Sequence, residues 1–352
     1  MNTQSTTGCI IGTAVGDALG LPYEGIPPRR ARRMFGPADR HRFLFGRGMV
    51  SDDTEHTLCV AKALLEAGTD PERFERCLAR KLSWWLAGLP AGVGWATLRS
   101  ILKLCIGFPP LRSGVFSAGN GPAMRVPLLG VVFGQNPAEL AEYVLRATRL
   151  THSDPKAYQA ALVTALAAAR STEEGPVVPA EFPGYVRGRW PREREADDLQ
   201  WLDQACASAG RGEPVQAFAA GIGSRNGISG YALHTVPCVI QTWLRFQDDF
   251  AGGLREVIEA GGDTDTTGAI LGGIVGARVG HEGIPAKWRT GILEWPRSVR
   301  WMAELGRRLA GSRTGGTPAR VPACFRPAIP VRNLVFLLVV LFHGFRRLAP
   351  PY

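Results

Sequence analysis

Apolar residues along this chain recur at the three- and four-residue spacing of helix faces, and no stretch of any length alternates with period two, so the pattern predicts an all-α protein. A first helix is expected through CIIGTAVGDALG, capped by Thr6 or Thr7. Further helices are expected over Asp53–Ala67, with Leu58, Ala61 and Leu65 as its apolar face, then Pro71–Leu86 and Gly94–Leu104. A glycine-rich turn in SAGNGPAMRVPLLG, Ser117 to Gly130, opens another. YQAALVTALAAA follows the polar stretch Thr151–Pro155. Beyond these lie helices at Glu195–Ala209, Tyr231–Arg245, Phe250–Glu259, Ala269–Gly280 and Ile292–Leu309. The Pro-, Gly- and charge-rich residues 171–194 read as a surface excursion rather than a domain boundary. Residues 311–330 read as a linker from a main body, 1–310, to an apolar tail, 331–352.

Two helices carry glycine at every fourth position. Gly12, Gly16 and Gly20 share one face of the first; Gly268, Gly272, Gly276 and Gly280 share a face of another. Glycine inside a helix costs up to ~1 kcal/mol relative to alanine. Such rows therefore point to close approach of another backbone, and the two faces are expected to pack together.

Polar positions interrupt this pattern in two places that matter chemically. In GGDTDTTG, residues 261–268, Asp263 and Asp265 stand with Thr264, Thr266 and Thr267 at a helix start. One aspartate suffices to cap a helix. Two carboxylates with hydroxyls suit a hard divalent cation such as Mg²⁺ or Mn²⁺, the alternative being a solvated turn. Far away in sequence, Ser51-Asp52-Asp53-Thr54 repeats the theme after a loop containing Gly46 and Gly48. If the two starts face each other, cations must offset the repulsion, and a pair of metals about 4 Å apart would activate water. Two separate N-caps are the other reading. Glu24 in LPYEG is a candidate metal-side or catalytic carboxylate, or a surface glutamate. The Ser117–Gly121 turn can hold phosphate on its backbone N–H groups. His152 can meet a ligand, though capping by Ser153 or Asp154 explains its stretch equally well.

Charge changes this picture little. The formal net charge is +10, but only five of the 41 basic residues are lysines, as a composition bias toward arginine would give. No basic run interleaved with aromatics appears, so no nucleic-acid partner is expected; a positive surface favours a phosphorylated substrate. Seven scattered cysteines without a C-x-x-C pair read as reduced thiols of a cytoplasmic protein. The N-terminal MNTQSTTGCIIG lacks the basic residues of a signal peptide. The longest strongly apolar run, Leu334–Phe342, is nine residues, too short for a transmembrane span. It is expected to dock as a C-terminal helix, with a membrane-surface anchor as the alternative.

With GDALGLPYEG, SDDT, GNGPAMR, THSD and GGDTDTTGAILG in that order, residues 8 to 310 resemble the ADP-ribosylglycohydrolase family, which includes the dinitrogenase reductase-activating glycohydrolases. The resemblance implies an orthogonal multi-helix bundle with a central cleft holding two Mg²⁺ or Mn²⁺ ions. It also implies a catalytic domain over 1–310 that cleaves the bond between ADP-ribose and a protein side chain or small conjugate, by attack of activated water on the ribose anomeric carbon. Carried over by position, Ser51, Asp52 and Asp53 form one metal-ligand set and Asp263, Asp265 and Thr266 the other. Glu24 and Asp53 are the catalytic carboxylates. Ser117, Gly119, Asn120, Gly121 and His152 meet the substrate, with Tyr231 against adenine. One departure stands out: arginine-specific relatives carry an aspartate where Pro90-Ala91-Gly92-Val93-Gly94 has Gly92. Serine-linked ADP-ribose or a small conjugate such as O-acetyl-ADP-ribose is therefore as good a candidate substrate. A catalytically silent ADP-ribose-binding or crystallin-like relative, and a nucleoside or glycoside hydrolase on the same scaffold, are the rival readings.

Overall fold

The computed structural model describes residues 2–191, 199–314 and 320–350. In chain order the α-helices are α1 (Thr3–Gly20), α2 (Pro28–Phe35), α3 (Asp52–Ala67), α4 (Pro71–Ala87), α5 (Trp95–Cys105) and α6 (Pro110–Ser113). Next come α7 (Pro127–Phe133), α8 (Pro137–Arg149), α9 (Pro155–Ser171), α10 (Phe182–Gly188), α11 (Gln200–Gly210) and α12 (Val215–Gly221). The last six are α13 (Ala232–Arg245), α14 (Phe250–Glu259), α15 (Thr264–Gly283), α16 (Ala286–Gly291), α17 (Val299–Thr314) and α18 (Ala328–Arg346). Among the described residues the only β pairing is a handful of isolated bridges, so the all-α expectation is met.

The core is built on α1 against α15, and the glycine rows are the reason. A methyl group on Gly12 would strike the carbonyl oxygen of Gly272, one on Gly16 that of Gly268, and one on Gly8 that of Gly276. The two backbones thus touch along their length, with no side chain between them. Both helices are buried for most of that length, and α3, α7, α9, α13 and α17 pack around the pair.

Local signals account for most boundaries. Asn2 rather than Thr6 or Thr7 caps α1, its side chain accepting from Gln4 N, so the helix starts a turn earlier than expected. Asp154, not Ser153, caps α9, accepting from Lys156 N at 2.9 Å. The helix expected from Ile292 begins at Val299, because Pro296 has no N–H to donate and restricts the residue before it. The 171–194 stretch is more than an excursion: Phe182 and Val186 of α10 are buried, and Phe182 packs edge-on against Trp243 with ring centroids 5.0 Å apart. Part of that stretch, and the first residues of the helix expected from Glu195, lie outside the described residues.

The tail helix, α18, spans Ala328–Arg346 and so begins within residues 311–330, read from the sequence as a linker. At 19 residues with mean hydropathy 1.9, α18 is by length and composition long enough to cross a membrane. One side of it packs through Phe336 and Val339 onto Leu21, Phe43 and Met49.

Candidate metal centre

Two helix starts meet at the centre of the molecule. Ser51 caps α3 by accepting the Asp53 N–H at 3.3 Å. Asp263 stands at the N-cap position of α15 but makes no capping bond with its side chain. The Thr266 hydroxyl donates to Asp53 Oδ2 at 3.2 Å, and the Ser51 hydroxyl reaches the same oxygen at 3.1 Å. Residues more than two hundred positions apart are therefore joined by a hydrogen bond.

A cavity of about 430 Å³ opens beside this junction. Among the candidate residues, Glu24, Ser51, Asp52, Ser117, Gly119, Asn120, Gly121, His152, Asp263, Asp265 and Thr266 line it. Two lie apart. Asp53 is beneath the floor, almost fully buried. Tyr231 caps α13 beside the cavity, its ring edge-on to His234 with centroids 5.0 Å apart. The adenine contact assigned to Tyr231 thus falls outside the lining.

Electrostatics single out this place. Burial, followed by the charge of neighbouring carboxylates, lifts Asp52, Asp53 and Asp265 well above the usual carboxylate range. Glu24 still reaches the open cleft, yet loss of hydration and the charge of Asp263 raise it too, against a lowering influence from Arg347. Asp53 Oδ1 is buried and has no hydrogen-bond partner. An orphaned carboxylate oxygen among carboxylates that repel one another is the donor set a hard cation fits. Among the described residues no three His, Cys, Asp or Glu side chains are already gathered at coordinating distance; the side chains of Ser51 and Thr266 add hydroxyl oxygens to the cavity lining.

The sequence reading missed the support beneath the floor. Asp17 of α1 is fully buried and accepts from Ser51 N at 2.9 Å, from Thr54 N at 3.1 Å and from the Thr54 hydroxyl. Burial raises its pKa to about 7 against those hydrogen bonds. The available signal was that Asp17 is the one charged residue within α1. Arg125 was missed as well. Its guanidinium, fully buried, reaches His56 Nδ1 at 3.2 Å, Ala147 O at 2.9 Å and the Thr151 hydroxyl. Thr151 Oγ1 in turn meets His152 Nδ1 at 2.9 Å. Burial, and then the Arg125 charge, push His152 down to about 3, so its ring is neutral at physiological pH.

The opposite wall is a glycine loop. Asn120 Nδ2 donates to Asp263 Oδ2 at 2.7 Å and to Thr235 Oγ1 at 2.9 Å, while Asn120 N donates to Gly230 O at 3.0 Å. A side chain on Gly119 or Gly121 would press on the His152 ring, at 3.0 and 3.1 Å. Ala91, Gly92 and Trp95 also line the cleft.

Fold and cleft together define an all-α protein with an acidic, oxygen-rich centre set into a helix bundle. The family model for ADP-ribosylglycohydrolase matches residues 3–318. The chain belongs to the ADP-ribosylglycohydrolase family, hydrolases that act on glycosidic bonds. It is 31% identical over 297 residues to an uncharacterized protein of Archaeoglobus fulgidus, covering 81% of this chain and 90% of that one. It is 28% identical to the ADP-ribosyl-[dinitrogen reductase] glycohydrolase of Rhodospirillum rubrum, covering 86% and 96%. With the ADP-ribosylhydrolase ARH3 of Danio rerio it shares 28% identity over 80% and 84%. A solved ADP-ribosylglycohydrolase-related protein complex superposes with TM-score 0.58 at 27% identity, over 87% of this chain and 97% of that one.

Proposed function

We propose that this protein is a cytoplasmic, metal-dependent hydrolase that releases ADP-ribose from modified side chains or small conjugates, with residues 1–310 as its catalytic body. The observation that carries the reading is the Thr266–Asp53 junction, which gathers both acidic helix starts beside one cavity. Ser51, Asp52, Asp53, Asp263, Asp265 and Thr266 would hold two Mg²⁺ or Mn²⁺ ions, which when bound lower the pKa of a coordinated water and offset the carboxylate repulsion. Glu24, at the cleft mouth with a raised pKa, orients the attacking water and accepts its proton, a better base than an ordinary surface carboxylate. The water oxygen bonds to the anomeric carbon as the bond to the acceptor breaks and the acceptor takes up a proton. Positive charge developing on the ribose ring is stabilised by the surrounding carboxylates. The Ser117–Gly121 loop binds the diphosphate through its backbone, and neutral His152 hydrogen-bonds without adding charge.

Gly92 narrows the acceptor. Gly92 lines the cleft where arginine-specific relatives carry an aspartate, so this position supplies no carboxylate of its own to a guanidinium. Serine-linked ADP-ribose and O-acetyl-ADP-ribose are then at least as good candidates as arginine-linked substrates. Incubation with a panel of arginine-, serine- and acetyl-linked ADP-ribose, read by mass spectrometry of products, tests both statements. Free ADP-ribose from the serine or acetyl substrates is the expected result. Turnover of none of them with Mg²⁺ or Mn²⁺ present overturns the hydrolase reading, and preference for the arginine substrate overturns the inference from Gly92.

A further inference from the structure

The two sides of α18 are made differently. Its docked side is tied down by polar groups. Arg332, almost fully buried, pairs with Glu294 and donates to Val50 O at 2.6 Å. Asn333 Nδ2 donates to Gly88 O at 2.7 Å, and His343 Nε2 meets Phe43 O at 3.1 Å. The outward side is apolar: Val331, Leu334, Leu338, Leu341, Phe342 and Phe345 recur at helical spacing, with Leu334 57%, Phe342 67% and Phe345 68% exposed. A contiguous stripe of this kind, unlike scattered surface leucines, marks an interaction face.

Charge around the stripe decides what covers it. From residue 305 to the end the sequence contains no Asp or Glu. Exposed Arg326 precedes the helix and exposed Arg346 ends it. Arg30 of α2 donates to the carbonyl of Arg347, which sets the exposed Arg29 and Arg33 of that helix beside its C-terminal end. A second copy of the chain docked on this face would bring like-charged rims together. Crossing a bilayer would strip Arg332, Asn333 and His343 of their partners. An apolar stripe with a basic rim lying in the plane of a surface is what anionic lipid recruits.

We propose that the outward face of α18 seats the protein on anionic membrane surfaces, with the leucine and phenylalanine side chains at the acyl boundary and the arginines among the headgroups. The test is co-sedimentation of the full chain with vesicles of phosphatidylcholine alone or mixed with phosphatidylglycerol. The expected result is at least about tenfold more protein on the mixed vesicles, falling as salt screens the rim. Leu338→Glu combined with Phe342→Glu is expected to abolish this binding, with thermal midpoint and ADP-ribosyl hydrolysis unchanged. Arg29→Glu with Arg33→Glu is expected to weaken it several-fold. Absence of binding, equal binding to both vesicle types, or undiminished binding by the double glutamate variant overturns the proposal. So does vesicle-independent self-association removed by that variant, or protein that stays with the vesicles through alkaline carbonate.

Discussion

The helix starts of α3 and α15 carry nearly the same chemistry and are held in opposite ways. At α3 the carboxylates stand on a finished support: Ser51 caps the helix, and Asp17 beneath it takes up the Ser51 and Thr54 N–H groups. At α15 the Asp263 side chain leaves its own helix uncapped, faces the cavity and is steadied from across it by Asn120. One start belongs to the scaffold. The other turns its N-cap side chain into the cavity, and its first residue is tied to α1 through Thr264 Oγ1 donating to Gly20 O at 2.8 Å.

Substitutions at the two starts should separate these roles. The largest effect is expected at the cavity: Asp263→Ala should lower turnover by about a thousandfold while moving the metal-free thermal midpoint by no more than a few degrees. Asp52→Ala should abolish turnover similarly with the helical circular dichroism intact; wild-type activity in either variant would remove this site from the chemistry. Next is the support. Asp17→Ala leaves two buried N–H groups and a hydroxyl without their acceptor, each costing about 1–3 kcal/mol, so urea denaturation should show a loss of several kcal/mol. If Asp263→Ala destabilises as much as Asp17→Ala, the contrast between the two starts is wrong.

The smallest effect concerns pH. A carboxylate whose pKa is raised on folding binds more protons in the native than in the unfolded state, so metal-free stability falls as pH climbs above the unfolded value. Asp52, Asp53 and Asp265 are all raised, and ions bind only their deprotonated forms. The rise in thermal midpoint on adding Mn²⁺ should therefore grow by a few degrees from pH 6 to pH 8. A constant or shrinking increment would mean that these carboxylates are not where the ion binds.

Much of this was legible because it is periodic or clustered. Glycines four apart announce backbone contact with no partner in view, and GGDTDTTG and SDDT hold more carboxylate than caps require. What escaped the reading depends on the third dimension. Asp17 looks like a stray charge in a small-residue helix until Ser51 and Thr54 are seen above it. Arg125, only the last letter of GNGPAMR in the sequence, is enclosed by His56, Ala147 and Thr151. Tyr231 is not among the residues that line the cavity; it stands at the N-cap position of α13, edge-on to His234. The start of α18 was hidden by Pro327 and Pro330, which usually signal a chain still outside a helix but here stand at its N-cap and in its first turn.

The glycine seam between α1 and α15 works as a gauge block. Asp17 rides on one helix, Asp263 and Asp265 on the other, and nothing compressible separates the two backbones. Side-chain packing elsewhere in a protein can drift by a few tenths of an ångström as residues are exchanged. Here that tolerance is removed, so the spacing between these carboxyl groups is inherited from the peptide chain itself, and a single added methyl group would miscalibrate it.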